Sequence, residues 1–189
     1  MMELVSEAIA FAVKAHDGMR RKKNDTPYIL HPMEAAVIVG TMTNDQNIIA
    51  AAALHDVVED TDITIEEIEE RFGKRVRDLV WSETEDKRAD RPPADTWRIR
   101  KEESLEVLKN TDDIGVLMVW LGDKLANIRS LYRDFKVEGN AMWQRFNQKD
   151  ANEQAWYYRS IATLTKALSD TPAWLEYKTL TELVFGKGE

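Results

Sequence analysis

The stretch from Ile48 to Leu54 constrains the fold of this chain more than any other segment, because every one of its residues is apolar. Asn44 or Asp45 can cap a helix immediately before it. A helix that is apolar on every side is stable in water only when other elements cover all of its faces. The sequence therefore predicts a central helix buried among further elements.

The rest of the chain repeats apolar residues at helical spacing, and local signals mark where helices begin and end. Pro32 suits the first turn of a helix, and Thr64 with Glu67 forms a capping box before a helix that Gly73 ends. Valine and isoleucine are too scattered for alternating strands. We therefore expect an all-α protein of about seven to nine helices. The predicted helices cover residues 4–15, 33–41, 48–54, 64–72, 74–84, 96–109, 115–135, 152–168 and 172–185.

The segment 86–95 interrupts this helical pattern. It contains two consecutive prolines, which block a helix, and six of its ten residues are charged. We expect a mobile loop at this point, between two helices.

Length and composition narrow the classes of protein to which the chain can belong. Its 189 residues, 43% apolar and 32% charged, fit a single compact domain. The absence of cysteine excludes thiolate nucleophiles, cysteine-bound zinc and iron–sulfur clusters, and is typical of a cytoplasmic protein. A net charge of −8 disfavours binding to nucleic acid or to an anionic membrane. No signal peptide or membrane span is predicted, and the run from Arg20 to Lys23 is the only place where four cations are adjacent.

The reactive side chains are concentrated directly after the apolar helix, in His55, Asp56, Glu59 and Asp60. If the helix continues, at about 100° per residue these four side chains lie within about 140° on one side of it. Burying several carboxylates together is costly unless a cation neutralises them, and this indicates a divalent metal site. A solvated helix end with a capping histidine is the alternative. The metal site is favoured because the segment grows out of a core helix.

Two further segments carry donors of the same kind. His31 is stiffened by Pro27 and Pro32 on either side, and Asp123 lies inside an apolar helical pattern with Asn127 one turn onward on the same face. A surface histidine and a buried salt bridge are the respective alternatives. Two imidazoles and two carboxylates suit Mn²⁺ or Fe²⁺, with Mg²⁺ and Zn²⁺ as further candidates.

These motifs resemble those of a known family. The HP motif at His31, the HD motif at His55 and Asp56, and the later Asp123 are similar to the signature of the HD phosphohydrolase superfamily. More closely, AHDGMRRK, TPYILHP, ALHDVVEDT, IEERFG and GDKLANIR resemble the hydrolase domain of RelA/SpoT proteins and the small alarmone hydrolases of the metazoan SpoT homologue type. The resemblance covers residues 11–132 and resumes near residue 157, and it implies a helical bundle of the HD type.

The resemblance also implies an activity. Members of that family bind Mn²⁺ and remove pyrophosphate from the 3′ position of the guanosine alarmones ppGpp and pppGpp of the stringent response. We therefore expect a cytoplasmic hydrolase that produces GDP or GTP, with one HD domain over residues 1–189 and no synthetase or regulatory domain. The expected partner is a small-molecule nucleotide, with no nucleic acid or membrane, and the sequence leaves a homo-oligomer open.

Carried over residue by residue, the resemblance assigns three kinds of site residue. The metal ligands would be His31, His55, Asp56 and Asp123. The pair that activates or orients the attacking water would be Glu59 and Asp60. The substrate contacts would be Arg21, Lys22, Lys87, Arg100, Asn127 and Tyr157. For Lys87 and Arg100 a solvated charge is an equal alternative, and for Tyr157 the alternative is a place in the core.

One departure from the family pattern leaves the substrate open. Where many relatives read KLAD, this chain has Trp120, Leu121 and Gly122 before Asp123, so an indole replaces a basic residue. Another nucleotide, or the 2′-phosphate of NADPH, is one alternative substrate, and a nucleotide sensor without turnover is an alternative function. The intact pair of Glu59 and Asp60 favours an enzyme, because a pure binding module needs neither carboxylate.

Overall fold

The computed structural model describes residues 3–21, 25–88 and 90–187. Within these ranges the regular elements are ten α-helices and two short 3₁₀ helices, with no strand, which confirms the predicted all-α class. None of the described helices is both long enough and apolar enough to cross a membrane. The α-helices are α1 (Leu4–Ala15), α2 (Leu30–Gly40), α3 (Gln46–Leu54), α4 (Val57–Asp60), α5 (Ile65–Phe72), α6 (Lys74–Glu83), α7 (Pro93–Lys109), α8 (Ile114–Glu138), α9 (Ala151–Leu164) and α10 (Pro172–Phe185), and the 3₁₀ helices are Gly139–Arg145 and Lys166–Leu168.

Helix α3 is the central helix that the apolar stretch predicts. Asp45 caps it by accepting a hydrogen bond from the backbone N–H of Asn47. Residues 50–54 are completely buried, and α1, α2, α6 and α8 pack around them. Four of these five residues are alanines, whose small side chains let the neighbouring helices approach closely.

Helix α8 packs against α2, α3, α6 and α10, and its contact with α2 depends on a glycine. A Cβ atom built on Gly122 would lie 2.6 Å from Val39 Cγ2 and 3.1 Å from the carbonyl oxygen of Ala35. A larger side chain would therefore push the two helices apart. The glycine that departs from the family pattern thus permits close packing of the helices that carry His31 and Asp123.

Several helix ends follow their local sequence signals. Thr64 and Glu67 make both hydrogen bonds of the predicted capping box at the start of α5, and Gly73, at φ 84°, follows its end. Helix α10 covers the predicted residues 172–185. Capping side chains and positive-φ glycines act over a few residues, so they can be identified from sequence without knowledge of the tertiary fold.

Two predicted helix starts were wrong, both next to prolines. Helix α2 begins at Leu30, so His31 and Pro32 lie inside its first turn. Helix α7 begins at Pro93 instead of Thr96. The backbone N–H groups of a first helical turn have no partner within the helix, so a proline there removes no hydrogen bond and the helix can start at or before it.

Replacing Gly122 with alanine tests the contact between α2 and α8. Alanine favours a helix by about 1 kcal/mol over glycine, but overpacking a core costs about 1–3 kcal/mol. Because both the Val39 methyl and the Ala35 backbone would have to move, we expect G122A to lower the thermal midpoint measured by calorimetry. Gly40 is the matched control, since a Cβ there meets no atom within 4 Å, and G40A should be neutral or stabilising. Equal midpoints for the two variants would contradict the close contact.

Candidate metal centre and adjoining cavity

The helix that precedes the predicted ligands is interrupted at His55 and Asp56, although both residues keep right-handed helical backbone angles. The angles calculated for one continuous helix therefore do not carry across this interruption. Helix α3 ends at Leu54 and α4 begins at Val57. His55 Nδ1 lies 2.8 Å from the carbonyl oxygen of Ala52 and donates to it. A continuing α-helix would need that carbonyl for the backbone N–H of Asp56. The turn still brings the two side chains together, with Asp56 Oδ2 3.2 Å from His55 Nε2.

His31, in the first turn of α2, and Asp123, in the middle of α8, reach the same point. The Nε2 atoms of His31 and His55 are 3.3 Å apart, and Asp123 Oδ1 lies 2.8 Å from His31 Nε2 and 3.5 Å from His55 Nε2. Asp56 Oδ2 lies 3.4 Å from His31 Nε2. His31, His55 and Asp123 are buried and present ligand atoms within 4.8 Å of one another, so this group could hold a metal ion.

The hydrogen bonds of this group suit a cation. Because Nδ1 of His55 donates to a carbonyl, Nε2 is the nitrogen left to bind a metal once the ring is neutral, and it faces the two carboxylates. Asn127 Nδ2 donates to Asp123 Oδ1 at 2.6 Å and fixes the orientation of that carboxylate. Imidazole nitrogens combined with carboxylate oxygens form the mixed donor set that divalent transition metals bind.

The same group is held together by charge. Burial opposes a proton on His55, but the Asp56 and Asp123 carboxylates outweigh it and raise the pKa of His55 well above its usual value. Burial also opposes ionisation of Asp123, yet Lys124 and the two imidazoles hold the pKa of that carboxyl well below its usual range. The carboxylates are therefore kept as anions, the form in which they bind a metal.

Lys124 is a part of the site that our sequence reasoning missed. Its ammonium pairs with Asp123 and lies 2.7 Å from Glu83 Oε1, and all three residues are buried. Burial raises the pKa of Glu83 to about 8, although Lys124 acts to lower it. The available signal was a lysine directly after an aspartate in an apolar helical pattern, because a buried lysine requires an anionic partner.

Glu59 and Asp60 lie on α4 beside the four predicted ligands. Glu59 Oε2 accepts a hydrogen bond of 3.3 Å from the backbone N–H of Glu85. Lys87, a predicted substrate contact, instead pairs with Asp60 and lies 3.6 Å from Glu59 Oε1. Burial, together with the Asp56 and Glu85 carboxylates, raises the pKa of Glu59 to about 7. The segment after α6 therefore folds over the carboxylate pair.

Tyr28 is a second residue that sequence reasoning missed. Its hydroxyl lies 2.7 Å from Asp56 Oδ2 and 2.5 Å from Asp60 Oδ2. It belongs to the TPYILHP motif, but no feature of that motif indicates which atoms the phenol contacts. The contact depends on how α4 is placed against the segment before α2, and this is a tertiary arrangement.

A cavity of about 340 Å³ opens beside these residues, and Glu59 and Asp60 form part of its wall. Arg21 also lines it and donates from Nη2 to Asn127 Oδ1 at 3.0 Å. The structure therefore brings two predicted substrate contacts, Arg21 and Asn127, to one wall of the cavity. Lys22 lies outside the described residues. Residues that sequence reasoning did not assign complete the wall, among them Met19, Ser130, Leu131, Asp134, Phe146 and Tyr158.

Arg100 and Tyr157 do not line this cavity. Arg100 lines a second cavity of about 220 Å³ that reaches His31 and Asp123, and its guanidinium pairs with Glu85 at 2.8 Å. Tyr157 is buried in the core, and its hydroxyl has no hydrogen-bond partner among the described residues. Tyr158, which follows it about 100° further round α9, lines the larger cavity instead.

The sequence matches one protein family, described as the HD domain, over residues 8–151. It is 38% identical over 137 residues to the putative GTP diphosphokinase RSH1, chloroplastic, of Arabidopsis thaliana. It is 36% identical over 130 residues to the guanosine-3′,5′-bis(diphosphate) 3′-pyrophosphohydrolase of Aquifex aeolicus. Both matches cover 69% of this chain, whereas the chain spans only 15% and 18% of these two relatives.

Two solved structures are similar in fold. One is described as a metazoan ortholog of SpoT that hydrolyzes ppGpp and plays a role in starvation responses. It superposes with a TM-score of 0.77 at 24% identity and covers 99% of this chain and 98% of its own. The other is lmo0812 from Listeria monocytogenes EGD-e, with a TM-score of 0.72 at 29% identity over 83% of this chain and 99% of its own.

Metal binding at the four side chains should be measurable as a gain in stability. For chelator-treated protein, Mn²⁺ at about 100 times its Kd should add about 2.7 kcal/mol and raise the thermal midpoint by about 5–10 °C. D123N removes one anionic donor and should lose most of this gain. D134N changes a carboxylate of the cavity wall outside the ligand group and should keep it. An equal gain in D123N and wild type, measured by scanning fluorimetry, would contradict the site.

Proposed function

This chain belongs to the HD-domain family, and on that premise we propose that it is a metal-dependent hydrolase of ppGpp and pppGpp. It would release pyrophosphate from the 3′ position and leave GDP or GTP. One observation carries the proposal: the buried imidazole–carboxylate group lies beside a cavity lined by Glu59, Asp60 and the cationic Arg21. The Aquifex relative, named a 3′-pyrophosphohydrolase, and the structural neighbour described as hydrolyzing ppGpp support it.

Four side chains would hold the metal, and their donors favour Mn²⁺ or Fe²⁺, with Mg²⁺ and Zn²⁺ as further candidates. When bound, such a metal polarises a phosphoryl oxygen and lowers the pKa of water at the site. Lys124 and Asn127 contact one of the ligand carboxylates and would keep it in place. The proposed ligands are His31, His55, Asp56 and Asp123.

Glu59 would take a proton from the attacking water. The water oxygen bonds to the phosphorus at the 3′ position, and the bond from that phosphorus to the 3′ oxygen breaks. The 3′ oxygen takes up one proton from the solvent as it leaves, and protonated Glu59 returns its proton to the solvent. Burial raises the pKa of Glu59 to about 7, and a general base is most effective when its pKa is near the working pH. Asp60, which contacts Tyr28 and Lys87, would orient the same water.

Arg21 would bind the diphosphate of the substrate. A chain with a net charge of −8 repels a polyphosphate unless cations are placed locally. The guanidinium of Arg21 lies at the cavity wall, and its hydrogen bond to Asn127 places it next to the proposed ligands. Lys22 remains a predicted partner in this role. Lys87 and Arg100 would first have to leave their carboxylate partners.

The apolar part of the cavity wall would bind the nucleobase. Met19, Leu131 and Phe146 supply apolar side chains to its wall. Asp134 adds a carboxylate, whose Oδ2 lies 3.2 Å from Arg145 Nη2. Guanine presents two neighbouring N–H donors on its Watson–Crick edge, which one carboxylate can accept together, and adenine presents no such pair. This arrangement favours a guanosine substrate.

Incubation with a panel of substrates tests the proposed activity. The panel contains ppGpp, pppGpp, the adenosine counterpart with the same 3′ and 5′ diphosphates, and NADPH, each with Mn²⁺ and with chelator. We expect GDP or GTP and pyrophosphate as products that require the metal. Phosphate released only from NADPH, or binding of ppGpp without any turnover, would instead support the alternative substrate or the sensor.

The variant E59Q separates an enzyme from a sensor. Glutamine keeps the size of the side chain and its hydrogen bond to Glu85, but it cannot accept a proton. We expect retained Mn²⁺ binding, near-normal ppGpp affinity and a kcat lower by about 10²–10⁴. E66Q is the matched control, because Glu66 is exposed on α5, and it should keep wild-type kcat. A kcat for E59Q within twofold of wild type would exclude Glu59 as the base.

The variant D134N tests base selection. An amide replaces one of two carboxylate acceptors with a donor, which would face a donor of guanine. We expect the ratio of kcat/KM for ppGpp over its adenosine counterpart to fall by about tenfold or more. Glu138 also pairs with Arg145, at 3.1 Å, but does not line the cavity, so E138Q controls for loss of that ion pair. An unchanged ratio in D134N would show that other groups read the base.

A further inference from the structure

The hydroxyl of Tyr28 lies between two carboxylates to which we assign different roles. Its oxygen is 2.7 Å from Oδ2 of Asp56, a proposed metal ligand, and 2.5 Å from Oδ2 of Asp60, which would orient the water. Asp56 precedes α4 and Asp60 is the last residue of that single-turn helix. One phenol therefore spans both ends of α4 and links the proposed metal group to the proposed water site.

The ring that carries this hydroxyl is fixed by its surroundings. The backbone N–H of Tyr28 donates to the carbonyl oxygen of Met19 at 2.9 Å. The ring centroid lies 5.0 Å from that of the buried His16, and it meets the His31 ring edge-on at 6.2 Å. The guanidinium of Arg21 lies 5.6 Å from the ring centroid. These contacts place the hydroxyl independently of the carboxylates that it joins.

The chemistry of a phenol limits what this contact can do. A neutral phenol has one proton to donate and one oxygen that can accept. Ionised carboxylate oxygens only accept hydrogen bonds, so beside Asp56 and Asp60 the hydroxyl of Tyr28 acts as a donor. Asp56 and Asp60 must share that single donor. The distance between their carboxylates therefore depends on where the hydroxyl oxygen of Tyr28 lies.

We propose that Tyr28 is a positioning residue that holds Asp56 and Asp60 in register through its hydroxyl, a role that rests on the proposed function. The ring of Tyr28 also lines the cavity, but a ring without a hydroxyl could line it equally well. The hydroxyl sets the orientation of a metal ligand and of the water-orienting carboxylate at the same time. Its loss should therefore weaken metal binding and slow the chemical step, with little effect on substrate binding.

The variant Y28F removes this hydroxyl and keeps the ring. We expect the dissociation constant for Mn²⁺, measured by calorimetric titration without substrate, to rise about tenfold, and kcat at saturating Mn²⁺ to fall about 10- to 100-fold. KM for ppGpp should change less than about threefold, because the ring remains in the cavity wall. Y177F is the matched control: Tyr177 is buried and its hydroxyl donates to the Tyr158 carbonyl at 2.9 Å. Y177F should leave Mn²⁺ affinity and kcat unchanged.

A double-mutant cycle tests whether the effect passes through Asp60. In the D60N background, Y28F should lower kcat much less than it does in the wild type, since the carboxylate that it positions is already gone. Fully additive losses, or an Mn²⁺ affinity of Y28F within twofold of wild type, would overturn the positioning role. Failure of the proposed function would look different: wild-type protein would not hydrolyse ppGpp, whereas the Mn²⁺ affinities of Y28F and Y177F would still decide the role of Tyr28.

Discussion

Two imidazoles and two carboxylates lie packed against one another at the centre of this helical bundle. Contacts in the folded protein must offset the free energy that is lost when these groups leave water. Taking a charged group into a protein interior costs several kcal/mol unless a partner of opposite charge is in contact. Such contact requires α2, α8 and the turn between α3 and α4 to approach closely. The alanines of α3 and the glycine at position 122 permit that approach. Small side chains in the core are thus a precondition for the polar site.

In this acidic chain, individual cations form ion pairs with individual carboxylates of the site. Lys124 pairs with Asp123 from the inside of the bundle, and Lys87 pairs with Asp60 from the segment after α6. Arg21 reaches the same region through Asn127. The local charge is consequently far more balanced than the net charge of −8 indicates. Under the proposed function, a polyphosphate that enters the cavity would meet the guanidinium of Arg21 at its wall.

Features that depend on a few neighbouring residues could be predicted from the sequence, and features that depend on tertiary contacts could not. Apolar periodicity and caps located the helices, and the motifs indicated the residues that converge. The break at His55 depends on its ring bonding to the Ala52 carbonyl, which competes with the helical hydrogen bond. The placement of Tyr28 and Lys124 against carboxylates of other helices leaves no periodic signal. Tyr157 and Tyr158 could not be distinguished, because both fit the helical pattern of α9.

The indole that replaces a basic residue of the family pattern lines neither of the two cavities beside the proposed ligands, so under the proposed function it would act on a substrate through its neighbours. Trp120 is 1% exposed, and its Nε1–H donates to the Ser82 carbonyl at 3.2 Å. Its ring lies 4.8 Å from Nζ of Lys124, a favourable position for a cation over an aromatic face. The indole therefore stabilises the ammonium of Lys124, which pairs with Asp123. The departure changes the residues packed behind a proposed ligand, and under the proposed function selection among nucleotides would fall to residues of the open cavity.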